Sequence, residues 1–446
     1  MGPILGLNVI DGTAVVLFSI LSIVALTALV VRRRPHRLAR EFGARLVPSS
    51  RRWFLTIVLA AVGGAVIAVI TLWLCESVFN VFGLPLDADT HTWVIICFAA
   101  TAVAVVSLVR GGWMRRVGAL LAAGLFVLTA ALGINAAYGM NATVAEFLNI
   151  SVSHPLAIPR PTATPIVPRL PLYESWKAPA GMPAGGSFGT VTIPATKSGF
   201  VARPAWLYLP PAALVTQHPA LPVLIMMMGQ PGGPESSALF VPFLNSFAAA
   251  HHGLAPIVLT VDQIGNPYKN PLCIDSPAGH VYTYLMRDVV SYVSANLPVA
   301  AGPHNWAIGG YSNGGECALA MGSLNPDVFG SIADISGELR PSLGSPAATI
   351  QKGFQGSVAA YTAALPVTIL AAHHYADTTA VFTWGGSDPV YGPEGAKAVA
   401  AARAAGMSVT QSVGPGVGHR ADAVTFGFPK VLAGLAARWS LEAPSS

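Results

Sequence analysis

Four long apolar stretches precede residue 140, and each is about as long as an α-helix that crosses a bilayer. Roughly 20 helical residues span the hydrocarbon core of a membrane. The chain as a whole is 53% hydrophobic and only 10% charged, which is unusual for a soluble protein. The sequence therefore predicts a four-helix transmembrane region over residues 1–138. Its spans are Thr13 to Val31, Trp53 to Leu74, Thr92 to Val109 and Val117 to Tyr138.

The charges between these spans predict their orientation. Eight arginines lie between residues 32 and 52, in the link between the first two spans, and three more lie between residues 110 and 116. The remaining link carries acidic residues but no Lys or Arg. Because cytoplasmic links carry an excess of Lys and Arg, both arginine-bearing links are expected in the cytoplasm. The N-terminus and everything after Tyr138 are then expected outside, in a multi-pass protein of the cytoplasmic membrane.

The spans carry no run of carboxylates, histidines or regularly spaced arginines that would indicate an ion path. This favours an anchoring role. The net charge of +5 comes from the arginine cluster rather than from a basic folded surface with interleaved aromatic residues, so nucleic acid is not an expected partner. Residues 139–186 are rich in proline, which predicts an extended linker.

Residues 187–446 have the pattern of an α/β domain. Short runs rich in Val and Ile alternate with longer helical patterns, which predicts a mostly parallel sheet flanked by helices. This domain is expected on the extracytoplasmic side. The predicted strands are Thr190–Pro194, Ala205–Leu209, Pro222–Met228, Pro256–Val261, Asn305–Tyr311, Gly330–Ile335, Ala380–Gly385 and Ser408–Val413.

The fifth predicted strand runs into a G-x-S-x-G sequence that is followed by a helical pattern. This motif, Gly310-Tyr311-Ser312-Asn313-Gly314, has the context of a nucleophile elbow. Glycines are needed there because a side chain two residues from the serine would collide with the neighbouring strand or helix. The alternative is a glycine-rich turn without chemistry. The context predicts Ser312 as a catalytic nucleophile.

A serine hydroxyl needs a base, normally a histidine oriented by a carboxylate, in the chain order Ser, acid, His for this arrangement. Asp388 follows the strand "AVFTWGG", and His419 lies in the loop "GPGVGHRAD" before the last helical pattern. Asp377, the rival acid, precedes that strand. The expected oxyanion hole consists of the backbone N–H groups of Asn313 and of Gln230, in the loop "MMMGQPGGPES".

The four cysteines do not suggest a metal site, because no C-x-x-C or His cluster accompanies them. No metal or other cofactor is expected. Cys273 and Cys317 lie in the domain that we expect in an oxidising compartment, and they are candidates for a disulfide between the loop after the fourth strand and the helix behind Ser312.

Residues 186–439 resemble the esterase family that includes esterase D and the mycolyltransferases. The resemblance rests on "GGYSNGGECALAM", "MGQPGGPES", "GGSDP" and "GVGH". It implies an α/β-hydrolase fold, ester hydrolysis or acyl transfer, and catalytic roles for Ser312, Asp388 and His419 with the amides of Gln230 and Asn313. Mycolyltransferases have a glutamate as the acid, so Asp388 is more similar to the hydrolase branch.

Multi-span esterases of this kind also resemble proposed hydrolases of aminoacylated phospholipids, which implies a lipid-linked ester, such as aminoacyl-phosphatidylglycerol, as substrate. A tethered domain meets membrane esters at high effective concentration. Glu338, Asp275 and Asp262, near strand ends, are candidate partners for an aminoacyl ammonium group. Two alternatives are a cell-envelope acyltransferase and a non-catalytic membrane scaffold. The sequence does not predict the oligomeric state.

Overall fold

The chain forms two compact units, Met1–Ile150 and Ser151–Ser446. A computed structural model describes residues 4–10, 12–31, 50–79, 86–139, 141, 143–148, 150, 154–158, 170–266 and 269–443.

The first unit contains four long helices, each long and apolar enough to span a membrane. Large apolar side chains point outward from them, as at Leu59, which is 69% exposed. This confirms the expected four apolar helices. The helices are α1 (Thr13–Val30), α2 (Ser50–Trp73, extended by a π-helical turn, Leu74–Val78), α3 (Ala88–Arg110), α4 (Trp113–Tyr138) and the short α5 (Val144–Phe147).

The arginine-bearing helix ends lie together. The indole N–H of Trp53, at the start of α2, donates to the carbonyl of Val30, at the end of α1, at 2.9 Å. The guanidinium of Arg115, in the first turn of α4, lies 4.9 Å from the centroid of the Trp53 ring. Arg110, at the end of α3, donates to the hydroxyl of Thr56 at 3.1 Å. The described basic residues of both links therefore lie at one end of the bundle, as two links on the same side of a membrane would.

Several expectations fall on residues outside the described ranges. Six of the eight arginines of the first link lie in residues 32–49, which are not described. The expected linker over 139–186 is divided between the two units, and part of it is likewise outside the described ranges.

The second unit is built on an eight-stranded sheet in the order β1-β2-β4-β3-β7-β8-β9-β10. The β1–β2 and β2–β4 pairs are antiparallel and the other five pairs are parallel, which confirms the mostly parallel sheet. Two further strands form a small hairpin. The strands are β1 (Ser187–Val191), β2 (Ala205–Leu209), β3 (Val223–Met227), β4 (Ile257–Val261), β5 (Asp275–Ser276), β6 (Gly279–His280), β7 (Trp306–Tyr311), β8 (Ser331–Ile335), β9 (Thr379–Gly385) and β10 (Ser408–Gly414).

Helices cover the sheet, and α10 is the most enclosed of those described, since nearly all of its residues are buried. It follows β7 and packs against β3, β7, β8 and α13. The helices are α6 (Leu172–Ser175), α7 (Val241–Ala250), α8 (Val281–Thr283), α9 (Val290–Asn296), α10 (Asn313–Leu324), α11 (Pro346–Gly353), α12 (Val358–Ala363), α13 (Pro366–Ala372), α14 (Tyr391–Ala404) and α15 (Ala421–Ala436).

The strand boundaries differ from the predicted ones mainly at proline. The first strand lies three residues before the predicted position, because β1 pairs with β2 from Ser187 onward and Pro194 has no N–H to donate to a sheet. Strands β3 and β4 likewise begin after Pro222 and Pro256. Hydrogen-bonding capacity, rather than hydrophobicity, sets these ends.

Candidate active site

Three side chains form a hydrogen-bonded line at the carboxyl ends of β7 and β9. The Ser312 Oγ lies 2.9 Å from His419 Nε2, and His419 Nδ1 lies 2.9 Å from Asp388 Oδ2. The structure thus brings together the three residues that the sequence singled out, which are separated by up to 107 positions. In such a line the imidazole can accept the serine proton while the carboxylate fixes its tautomer.

Ser312 stands on a sharp turn between β7 and α10. Its φ of 55° and ψ of −119° place a non-glycine residue in a sparsely populated conformation. Two glycines permit this turn. A Cβ at Gly310 would lie 2.0 Å from the Gly314 carbonyl oxygen, and a Cβ at Gly314 would lie 2.3 Å from the Met227 carbonyl oxygen of β3. A side chain at Gly310 would therefore collide with the helix, and one at Gly314 would collide with the neighbouring strand, as expected.

Replacing Gly314 with alanine is expected to lower the melting temperature of the second unit by about 2 to 10 °C, corresponding to an overpacking cost of about 1–3 kcal/mol. The added methyl group meets a strand carbonyl, which cannot move without distorting the sheet. A thermal melt of the purified protein measures the change. Gly392→Ala is the control, because a Cβ there has ordinary contacts of 3.6 Å or more and alanine favours helix. Equal melting temperatures for both variants would contradict the expectation.

Asp388 lies three residues beyond the end of β9 and is 5% exposed. Its Oδ1 accepts hydrogen bonds from the backbone N–H groups of Val390 (3.0 Å) and Tyr391 (2.9 Å). Burial by itself raises the pKa of this carboxyl, but the bond to His419 and the two backbone bonds outweigh it and lower the pKa below its usual value. The group is therefore ionised at neutral pH, as an orienting carboxylate must be.

Two tyrosine rings stack on the imidazole of His419, and neither contact was predicted from the sequence. The Tyr391 ring stacks on the imidazole with centroids 4.0 Å apart, and the Tyr311 ring lies 5.2 Å away. Asp422 fixes the loop that carries His419 by accepting from the backbone N–H of Gly418 at 2.8 Å. Tyr311 occupies one of the two variable positions of the G-x-S-x-G motif. No residue-type signal identifies Tyr391 or Asp422.

The loop after β3 lies against the nucleophile. A Cβ at Gly229 would be 3.0 Å from the Cβ of Ser312, so the residue that follows, Gln230, is beside the site. Asn313 is the first residue of α10, and first-turn amides have no carbonyl one turn back to accept them. Gln263 joins the two segments, since its side-chain amide donates to the Met228 carbonyl (2.5 Å) and to the Asn313 side chain (3.0 Å).

Asp262, one of the acids predicted to bind a substrate cation, holds this loop instead. It is fully buried, and its carboxylate accepts from Arg203 Nε (3.1 Å) and Nη2 (2.9 Å). The same Arg203 Nη2 donates to the carbonyl of Gly232 at 3.0 Å. Asp262 is already paired with Arg203 and has no exposed surface. Its role is therefore to hold the fold together rather than to bind a substrate cation.

Asp275 also has a local partner. It lies in the small β5–β6 hairpin and accepts hydrogen bonds from the backbone N–H (2.9 Å) and hydroxyl (2.6 Å) of Thr283. Asp275 thereby accepts from a backbone N–H group in the first turn of the helical segment that begins with α8.

Glu338 is the one of the three acids that lies beside the nucleophile. It follows β8, is half-buried, and its backbone N–H donates to the Ser312 carbonyl at 3.3 Å. Burial and the charge of Glu394 raise the pKa of Glu338 to about 7, against the lowering effect of Arg340. Near neutral pH this carboxyl is therefore close to its midpoint, and a cation bound nearby would favour its charged form.

Cys273 and Cys317 are joined in a disulfide, with Cα atoms 5.5 Å apart. Both residues are buried. The bond connects the loop after β4 to α10, the pairing that the sequence made a candidate.

Residues 202–424, half of the chain, match the profile of a family described as "Putative esterase". An uncharacterised protein of Corynebacterium glutamicum is 38% identical over 200 residues, 43% of this chain and 47% of that protein. The match thus spans about half the length of this curated relative.

Solved esterase structures also superpose on part of the chain, with TM-scores below 0.5. A ferulic acid esterase superposes with a TM-score of 0.49 at 16% identity, covering 57% of this chain and 99% of that one. An S-formylglutathione hydrolase from Agrobacterium tumefaciens gives 0.47 at 16% identity, with 58% and 97% covered. On the strength of the family match, the chain belongs to this esterase family.

Proposed function

We propose that this protein is a membrane-anchored serine esterase that cleaves a lipid-linked ester on the outer side of the cytoplasmic membrane. The observation that carries the proposal is the hydrogen-bonded line from Ser312 through His419 to Asp388, with both bonds at 2.9 Å, on a strained strand-to-helix turn. Strain of this kind at a nucleophile is typical of active sites.

In the proposed reaction His419 Nε2 accepts the proton of Ser312 as Oγ attacks the ester carbonyl carbon. The backbone N–H groups of Asn313 and Gln230 stabilise the oxyanion of the tetrahedral intermediate. His419 then gives its proton to the departing alcohol, which leaves an acyl-enzyme. Water enters, gives a proton to His419 and attacks the acyl carbonyl. The tetrahedral intermediate collapses, His419 returns that proton to Ser312 Oγ, and the acid is released. Asp388 stays ionised throughout and stabilises the imidazolium.

The charge pattern of the helix links supports an extracytoplasmic site. Described arginines of both basic links lie at one end of the bundle, and an even number of spans returns the chain to the side of its N-terminus.

Cysteine labelling in intact cells tests this orientation. In a chain whose Cys75 and Cys97 are replaced by serine, we expect a membrane-impermeant maleimide to label Val358→Cys, at an exposed position of the second unit. Gly112→Cys, in the link between α3 and α4 where a side chain meets open space, should be labelled only after permeabilisation. The reverse pattern would place the esterase unit in the cytoplasm.

An aminoacylated phosphatidylglycerol is the substrate that we favour. Four spans hold the enzyme where such esters are concentrated. The backbone N–H of Glu338 donates to the Ser312 carbonyl, and an aminoacyl ammonium would favour the charged form of the Glu338 carboxyl, whose pKa is raised to about 7.

Lipid analysis of cells that express the wild type or Ser312→Ala tests the substrate. We expect aminoacyl-phosphatidylglycerol to accumulate with Ser312→Ala and to fall with the wild type. An identical lipid pool in the two strains would rule against this substrate. Labelling of the wild type, but not of Ser312→Ala, by a fluorophosphonate tests the nucleophile separately. Product analysis with and without a sugar or lipid acceptor distinguishes hydrolysis from acyl transfer.

A further inference from the structure

A cavity of about 140 Å³ lies along α10, one helical turn beyond Ser312. Glu316, Ala320 and Leu324 of α10 line one side of it, Cys273 and Tyr282 line another, and the exposed Asp275 stands at its rim. An apolar cavity of about 150 Å³ engineered in another protein binds benzene. By volume, this cavity accepts a ring or a branched chain of about six heavy atoms.

Glu316 is the polar group of this cavity that the ester chemistry does not use. It is 1% exposed, and its Oε2 has no hydrogen-bond partner among the described residues. Burial raises the pKa of Glu316 well above its usual value, and the nearby charges of Glu338 and Asp334 raise it further. An unpaired carboxyl in such a place is costly to keep, whereas a ligand that donates a hydrogen bond would satisfy it.

The charges around the cavity favour a cationic donor. Glu316 and Asp275 are acidic, and none of the described residues that line the cavity is Lys, Arg or His. Glu338, Asp334 and Tyr361 are the other titratable groups that interact electrostatically with Glu316, and none of these is basic. A metal ion fits less well, because the neighbouring sulfurs of Cys273 and Cys317 are bonded to each other. Cysteine binds metals as a thiolate, and a disulfide has none.

We propose that this cavity binds a small organic ammonium compound, with an apolar body of about six heavy atoms along α10 and its ammonium group on the Glu316 carboxylate. The site is separate from the ester chemistry and does not depend on which ester is cleaved. Burial favours the protonated form of Glu316, and an ammonium group that pairs with this carboxyl favours its charged form instead. For each carboxyl that is converted, Glu316–COOH plus R–NH₃⁺ gives the ion pair and one free H⁺. Binding is therefore expected to release protons.

Calorimetric titration of the full chain in lipid nanodiscs, with benzylamine as the probe, tests the proposal. We expect one saturable site, with benzyl alcohol, the neutral analogue, binding at least about tenfold more weakly. Repeating the titration in two buffers of different ionisation enthalpy measures the proton released. Glu316→Gln keeps the side-chain shape and is expected to weaken benzylamine binding by about tenfold or more and to abolish the proton release.

Two further variants keep the test decisive. Ala320→Leu fills the cavity while retaining Glu316, and it should also abolish binding, whereas Glu174→Gln, at an exposed carboxyl of the same unit, should leave binding unchanged. Ser312→Ala should bind benzylamine normally, which separates this site from the esterase centre. Equal affinity for benzyl alcohol and benzylamine, or binding that both Glu316→Gln and Ala320→Leu retain, would overturn the proposal.

Discussion

Replacing Ser312 with alanine is expected to lower kcat for a short-chain p-nitrophenyl ester by about 10⁴- to 10⁶-fold, with little change in KM. The variant loses Ser312 Oγ, the atom in the hydrogen-bonded line that forms the acyl-enzyme. Ser312 is only 7% exposed, and alanine retains the packing of its Cβ. Any remaining rate comes from binding and from the oxyanion donors. Initial rates of the purified protein, over a range of ester concentrations, measure both constants.

A buried serine near the other end of α10 provides the matched control. Ser323 is 1% exposed, and its hydroxyl has no hydrogen-bond partner among the described residues. Ser323→Ala therefore removes an unsatisfied polar group and should leave kcat within about twofold and stability unchanged or raised. If Ser312→Ala keeps more than a tenth of the wild-type rate, a different nucleophile carries the reaction.

The local parts of the site were predictable from the sequence because residue type determines them. Only glycine fits at 310 and 314, where a Cβ would meet backbone atoms within 2.3 Å. A strand before that motif and a helix after it then fix where Ser312 stands. The positions of Asp388 and His419 follow from chain order and from their places at strand ends.

Contacts between distant segments were not predictable in the same way. Asp262 and Asp388 give the same signal, an acid just after a buried strand, yet Asp262 is taken by Arg203, 59 positions away, while Asp388 meets His419. Chain order excludes Asp262 as the catalytic acid, because it precedes Ser312. Nothing in the sequence predicts its pairing with Arg203, because that partner depends on how the loops pack. The stacking of Tyr391 on His419 is a contact of the same kind.

Asp388→Asn is expected to lower kcat by about 10³- to 10⁴-fold near neutral pH while leaving the fold intact. The asparagine oxygen can still accept from the backbone N–H groups of Val390 and Tyr391. Its NH₂ group then faces His419 Nδ1 and favours the tautomer with the proton on Nε2. That nitrogen can no longer take the proton of Ser312, and the imidazolium loses its counter-charge.

Asp377→Asn is the control for this substitution, since Asp377 precedes the same strand, β9, and has an exposed side chain paired with Arg438. Its kcat should equal that of the wild type. The double variant Ser312→Ala with Asp388→Asn gives the sharper test. Residues that act as a unit have non-additive effects, so the double variant should be no slower than Ser312→Ala alone. Losses that multiply would mean that Asp388 assists the reaction by a route that does not pass through Ser312.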